Sequence, residues 1–307
     1  MKISTSLYFD RSTQQLGNVQ AKLTKVQEQL SSGLQIVKPS DEPDKASLVT
    51  RLESELARQA GYQDTLKAVN VRLTAEETAL KNTSDVMYRI KELAVQAAND
   101  TLSLQDRQSV ALELDTLRDQ ILSMANSQDS NGNYLFSGSR AGEPAFSKDA
   151  DGRVLYQGDH SRMKVNVGDN RRMNLNLPGS DVFTRVVRDD GKGNKVGVDF
   201  FQALADLTQS VKNADRTNIQ RGITEIDTLQ NGVSEGLGQI GADLSVVDMQ
   251  NTVLDQVVLR LQTTRSDIED LDYTEAITRM NKDQLALEAA QSSFAKISQL
   301  SLFKFLN

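Results

Sequence analysis

Few residues in this chain have the types and spacings that chemistry needs. The only histidine, His160, lies in Gly158-Asp159-His160-Ser161. A general base needs a pocket and an orienting partner, and this run of turn residues reads instead as a surface loop. Zinc hydrolysis through His-Glu-x-x-His needs two histidines, so the single one excludes it. The acidic run Asp267, Glu269, Asp270, Asp272 and Glu275 lacks the glycine-punctuated loop of a calcium site and reads as helix capping and a solvated face. Gly232-x-x-x-Gly236-x-Gly238 has no following Lys-Ser or Lys-Thr and no preceding strand, so it is not a phosphate loop. Cysteine is absent, which removes thiolate metal sites and disulfides together. The expectation is no enzyme, no cofactor and no metal.

Partners are bounded in the same way. A formal charge of −7 and a pI near 5.0 argue against nucleic acid, whose binding rests on Lys and Arg clusters. The most basic stretch, Arg162, Lys164, Arg171 and Arg172, falls among strand-like residues and reads as a solvated sheet face. The N-terminal residues lack the apolar core of a secretory signal, and no run of 18 apolar residues occurs. The expectation is no membrane insertion and no use of the general secretory route.

What the sequence does carry is helical seams. Aromatics are 5% of the 307 residues and tryptophan is absent, a composition suited to burial along helix stripes. Leu16, Val19, Leu23, Val26 and Leu30 alternate spacings of three and four, forming one narrow apolar stripe. Near the other end, Ile277, Met280, Leu287, Phe294 and Ile297 follow a helical period, with small residues such as Ala276 and Ala290 allowing close approach. Two terminal seams imply a chain that folds back so that both ends meet in one bundle.

Between them, Gly33 reads as a left-handed helix stop. Ser40 or Asp41 as cap and Pro43 in the first turn restart a helix over about 46–99. Its heptad runs through Leu66, Val69, Leu73, Leu80, Met87, Ile90, Ala94 and Ala97, with Glu76 and Thr83 as polar members. A third helix, about 105–127, should run antiparallel to it. Residues 128–197 hold about half of the 18 glycines and alternate as strands at 163–167 and 173–177, which implies hairpins. Turn signals stand at Asn131-Gly132, Asp151-Gly152, Gly168-Asp169-Asn170 and Pro178-Gly179. Helical period returns at 198 with Leu204, Leu207 and Val211 and then holds from Ile219 to Ile268, read most simply as one helix of about 50 residues, with Gly222, Gly232, Gly236, Gly238 and Gly241 marking either tight packing or a hinge.

The expected fold is therefore mainly α: an elongated antiparallel long-helix, coiled-coil-like bundle carrying a small, mostly antiparallel β-rich insertion. Its parts are an N-terminal assembly helix (1–45), two stalk halves (46–127 and 198–265), a β-rich outer domain (128–197) and a C-terminal assembly helix (266–307).

Particular motifs then add a resemblance. Gln29-Leu30-Ser31-Ser32-Gly33-Leu34-Gln35-Ile36 with Ser40-Asp41-Glu42-Pro43-Asp44-Lys45-Ala46, and Asp272-Tyr273-Thr274-Glu275-Ala276 with Gln299-Leu300-Ser301-Leu302-Phe303, resemble the paired end motifs of bacterial flagellins and their relatives. Asn133-Tyr134-Leu135-Phe136-Ser137-Gly138, Tyr156-Gln157-Gly158-Asp159 and Pro178-Gly179-Ser180-Asp181-Val182-Phe183 are similar to the β-domain entry of the junction branch of that family. The final Leu302-Phe303-Lys304-Phe305-Leu306 also differs from the glutamine- and proline-containing end of filament flagellins.

The resemblance implies a structural, extracellular subunit of the flagellum, exported by the flagellar type III apparatus and placed between hook and filament. Its implied partners are hook-associated protein 1 (the first junction protein), flagellin, copies of itself in a ring-like layer, and an export chaperone at the C-terminal segment. It also implies termini that are disordered in the free subunit and become helical on assembly. The expected subunit-interface residues are Leu16, Val19, Leu23, Val26, Leu30, Ile277, Met280, Leu287, Phe294, Ile297, Phe303 and Leu306. Alternatives are a minor filament flagellin, or a secreted adhesin or binding protein whose β domain holds a ligand.

Overall fold

The computed structural model describes residues 2–99, 102–189 and 194–306, with side-chain detail at residue 7 and between 9 and 296. The chain forms two compact units, residues 1–59 with 256–307 and residues 60–255, the division falling inside two long helices.

The first unit is built on α1 (Lys2–Ser32) and α7 (Tyr273–Leu306), which pack along each other. Phe9 meets Phe294 edge-on at 5.4 Å, while Val26 and Leu30 lie with Leu271, Ala276 and Met280, so the pair is antiparallel. Gly33 ends α1 at a φ of 74°, its N–H donating to the Gln29 carbonyl at 2.8 Å. Only glycine adopts that backbone without strain, and a Cβ there would also stand 2.9 Å from the Tyr273 hydroxyl. The helix α2 (Pro43–Ala97) starts with Pro43 in its first turn, as its missing N–H allows. Neither Ser40 nor Asp41 caps it, contrary to the sequence reading. Glu42 occupies the cap position, its carbonyl accepting from Ala46, while Asp41 accepts from the Lys38 amide and pairs with Lys25 at 3.0 Å.

In the second unit the α2 heptad is buried throughout, from Leu66 to Ala97, and its polar members Glu76 and Thr83 are fully buried too. The helix α3 (Leu104–Ala125) opens with a reciprocal capping box between Ser103 and Asp106. Arg107 reaches the Ala97 carbonyl, Arg89 bonds Glu113 and the Thr83 hydroxyl reaches Met124, so α2 and α3 run antiparallel as expected. Arg107 also covers the orphan carbonyls at the end of α2, where a cation is favoured.

Three separate antiparallel hairpins follow: β1 (Phe146–Lys148) with β2 (Val154–Tyr156), β3 (Lys164–Gly168) with β4 (Arg171–Asn174), and β5 (Val186–Asp189) with β6 (Lys195–Val198). The strand expected over 173–177 stops at Asn174. The Asn176 side chain takes the Met163 amide at 2.7 Å and turns the chain out of the ladder. Pro178-Gly179 starts the short helix α4 (Gly179–Val182) and not a hairpin turn.

A lone two-stranded hairpin is marginal in water, and each one here has polar anchors to a helical neighbour. Asn126 bonds both backbone groups of Phe146 at 2.8 and 2.9 Å. Gln250 takes the Val167 carbonyl and the Arg171 guanidinium. Arg188 grips Glu225 with two nitrogens and Asp206 with a third. Beneath them Phe136, Phe146, Phe183, Phe200 and Phe201 form one aromatic cluster of mostly edge-on pairs.

The helical run after residue 198 is broken once. The helix α5 (Phe200–Lys212), packed on α3, is separated from α6 (Arg216–Glu269) by Ala214 at a φ of 55° and by Asp215, which caps the Asn218 amide at 3.1 Å. No break follows at the glycines, and α6 is continuous through all five.

Candidate assembly interface

The α1–α7 seam has the geometry of a coiled coil. Fully or partly covered residues along the α1 stripe include Phe9, Ser12, Leu16, Val19, Leu23, Val26 and Leu30. On α7 they include Ala276, Met280, Asp283, Leu287, Ala290 and Phe294. Both series alternate threes and fours, the 3.5-residue repeat that keeps a stripe facing its partner. Of the sequence-derived interface residues whose side chains are described, only Val26, at 6% exposure, is buried by this pairing. Leu16, Val19, Leu23, Leu30, Met280, Leu287 and Phe294 are half-buried, so one partner helix covers part of each.

Ile277 and Ala276 divide the α7 stripe between outside and seam. Ile277 is 45% exposed, and Ala276, fully buried, takes the seam position. The small side chain lets α1 come close, and Ile277, one residue later, turns about 100° away. Ile297, Phe303 and Leu306 lie in α7, but their side chains fall outside the described residues.

One feature at this interface escaped the sequence reading. The stretch 33–35 forms an antiparallel bridge with 269–271: the Leu271 amide donates to Gly33 at 3.0 Å and the Gln35 amide to Glu269 at 2.7 Å. The Gln29 side chain, itself buried, donates to the Gln35 carbonyl and closes the corner. Asp272 then caps α7 through the amides of Thr274 and Glu275 at 2.8 and 3.1 Å. Gly33 and the acidic run 267–272 were the visible signals, but pairing between them is not local information.

The remaining candidates for chemistry have structural partners. His160 is exposed and shares a 2.7 Å hydrogen bond with Ser180. Arg162 pairs with Asp181, Arg171 with Gln250 and Arg172 with Asn166. Glu275 pairs with Arg279 on the next turn of α7. Among the described residues no group of three acidic, histidine or cysteine side chains could hold a metal, and no helix is long and apolar enough to cross a membrane.

Long paired terminal helices, with small antiparallel hairpins between their sequence neighbours, define a flagellin-like fold. The bacterial flagellin N-terminal helical region matches residues 3–141 and the C-terminal helical region residues 223–306. Together these cover well over half of the chain, which belongs to the bacterial flagellin family and is a structural component of the flagellum. It is similar to flagellar hook-associated protein 3 of Escherichia coli, at 27% identity over 99% of each chain. Among solved structures, a putative flagellar hook-associated protein from Vibrio parahaemolyticus matches 75% of this chain and all of its own at a TM-score of 0.67 and 24% identity. FlgL of Xanthomonas campestris matches 71% of this chain and 99% of its own at 0.62 and 24%.

Proposed function

We propose that this chain is the subunit that joins hook to filament, a non-catalytic layer on which flagellin polymerises. The observation that carries this is the α1–α7 seam, regular along its length yet left half-covered by its one partner helix. Burying about 25 cal/mol per Å² of apolar surface stabilises whatever completes such a stripe, and identical seams on neighbouring subunits are suited to do so. Similarity to hook-associated protein 3 along nearly the whole chain supports the junction over a filament role.

On this reading the inner neighbour is hook-associated protein 1, the outer one flagellin, and the lateral ones copies of the same chain. An export chaperone shields the α7 segment before the flagellar type III apparatus passes the chain to the outside. Terminal segments that complete their packing only in the layer make folding and assembly one event.

The test is electron microscopy of a strain lacking the gene, with an assay for flagellin in the medium. Bare hooks with leaked flagellin are expected; intact filaments overturn the junction role. A chromosomal Leu23→Asp variant should leave the unit at 60–255 folded and block incorporation, and normal filaments carrying it would refute the seam's part.

A further inference from the structure

The core of the second unit contains a carboxylate that the proposed function does not use. Glu76 on α2 is fully buried, and neither of its oxygens has a hydrogen-bond partner. An orphan buried acid is costly, so its surroundings decide what form it takes.

Two charged groups act on it, Arg72 and Asp243, and Arg72 is shared with Asp129. On its own helix, the Arg72 Nε stands 3.3 Å from Oε1 without hydrogen-bond geometry. The Arg72 terminal nitrogens are committed elsewhere, to Asp129 at 3.4 Å and to the carbonyls of Tyr134 at 3.2 Å and Leu135 at 2.9 Å. Asp129, in the loop after α3, is desolvated but held below the usual carboxylate range by the amides of Asn133 and Asn131 and by Arg72, so it stays ionised. From α6, Asp243 adds a further negative charge. The backbone of Leu177, beyond β4, is the remaining polar neighbour. Arg72 and Asp129 therefore balance each other, and a charge on Glu76 would be in excess.

We propose that Glu76 is a proton-operated latch on the attachment of loop 129–135 to α2. Protonated, it is neutral and leaves Arg72 to hold the loop. Ionised, it draws the guanidinium from Asp129 and from the two carbonyls, and the loop loosens at the point where the chain enters the aromatic cluster through Phe136. Burial, outweighing Arg72, pushes the Glu76 carboxyl up to about 8, which places the release in mildly alkaline solution.

The test is hydrogen exchange of the full chain at pH 6.5 and pH 9, each rate referenced to the unstructured rate at that pH and read in peptides spanning 127–141. Between pH 6.5 and pH 9, protection in the wild type should fall ~30-fold, and in Glu76→Gln it should not change. Equal loss in both, or none in the wild type, overturns the proposal. A ¹³C titration of the Glu76 carboxyl in the unmutated chain guards against a variant that fails to fold. A midpoint near 8 supports the latch, and one below about 6 overturns it.

Discussion

Gly232→Ala and Gly238→Ala should have opposite effects although they are the same substitution in the same helix. In a helix interior Ala is favoured over Gly by about 1 kcal/mol, because less backbone entropy is lost on folding. At Gly238 a new Cβ meets nothing within 4 Å, so that gain is realised and the protein is stabilised by about 1 kcal/mol. At Gly232 the Cβ would stand 2.7 Å from Thr184 Oγ1, 3.0 Å from the Val182 carbonyl oxygen and 3.1 Å from Thr184 Cγ2. A β-branched side chain has few rotamers with which to yield. The Val182 carbonyl yields less, because its own side chain is fully buried. Overpacking of this kind costs about 1–3 kcal/mol, which exceeds the propensity gain and leaves a net loss of about 1 kcal/mol. The two variants should therefore differ by about 2 kcal/mol, or about 1 M in urea midpoint at a slope of about 2 kcal/mol per M. The chain has no tryptophan, so far-ultraviolet circular dichroism is the suitable probe. If both variants shift the midpoint upward by the same amount, the close approach of α6 to the segment after α4 is not what glycine serves at 232.

Three further outcomes are expected. The Asp159 carboxylate, held well below its usual range first by the Ser139 hydroxyl and then by the amides of Ser139 and Ser161, contributes stability that is present above about pH 4 and lost as the pH falls. Asp159→Asn should therefore lower the thermal midpoint at pH 7 and converge with wild type in acid, and a constant difference at all pH values would contradict this. Arg188→Met leaves Glu225, 8% exposed, without its two-nitrogen partner and should cost about 2–4 kcal/mol in urea titrations, with the β5–β6 hairpin losing exchange protection first. Ala276→Glu forces a charge into a fully buried seam position; limited proteolysis should then cut in α1 and α7 while the unit at 60–255 resists, and unchanged cleavage would mean that the seam is not closed there.

Much of this fold was legible because its signals are periodic. The α2 heptad was readable from Leu66 to Ala97, and both polar members, Glu76 and Thr83, lie where the period puts them. The Gly33 stop and the Asp151-Gly152 turn were readable because a positive φ selects glycine there. The long helix was readable from Ile219 to Ile268, while the turn before it rests on Ala214 at a positive φ, which no period encodes; only Asn213 and Asp215 hinted at a cap. The strand end at Asn174 depends on a side-chain hydrogen bond that no period encodes. The seam itself was half-legible. The α1 stripe meets α7 where the spacing puts it, and on α7 Ala276, not its larger neighbour Ile277, is the one at this contact. Amphipathic spacing identifies a face, whereas the closeness of two backbones is decided by its smallest members. Which hairpin meets which helix is long-range, carried by Asn126, Gln250 and Arg188, and none of the three stands out in composition.

The bridge between 33–35 and 269–271 has a kinetic consequence. It fixes the end of α1 beside the start of α7 by two backbone hydrogen bonds, so these antiparallel helices share one anchored end. A 3.5-residue repeat is nearly degenerate to a slip of seven residues, and two free helices could mate out of step. With one end anchored, a slipped pairing must break the bridge, and the contacts of Val26 and Ala276 beside it hold the step for Phe9 and Phe294 farther along. The alignment is chosen once, at the fixed end, before the outer turns engage.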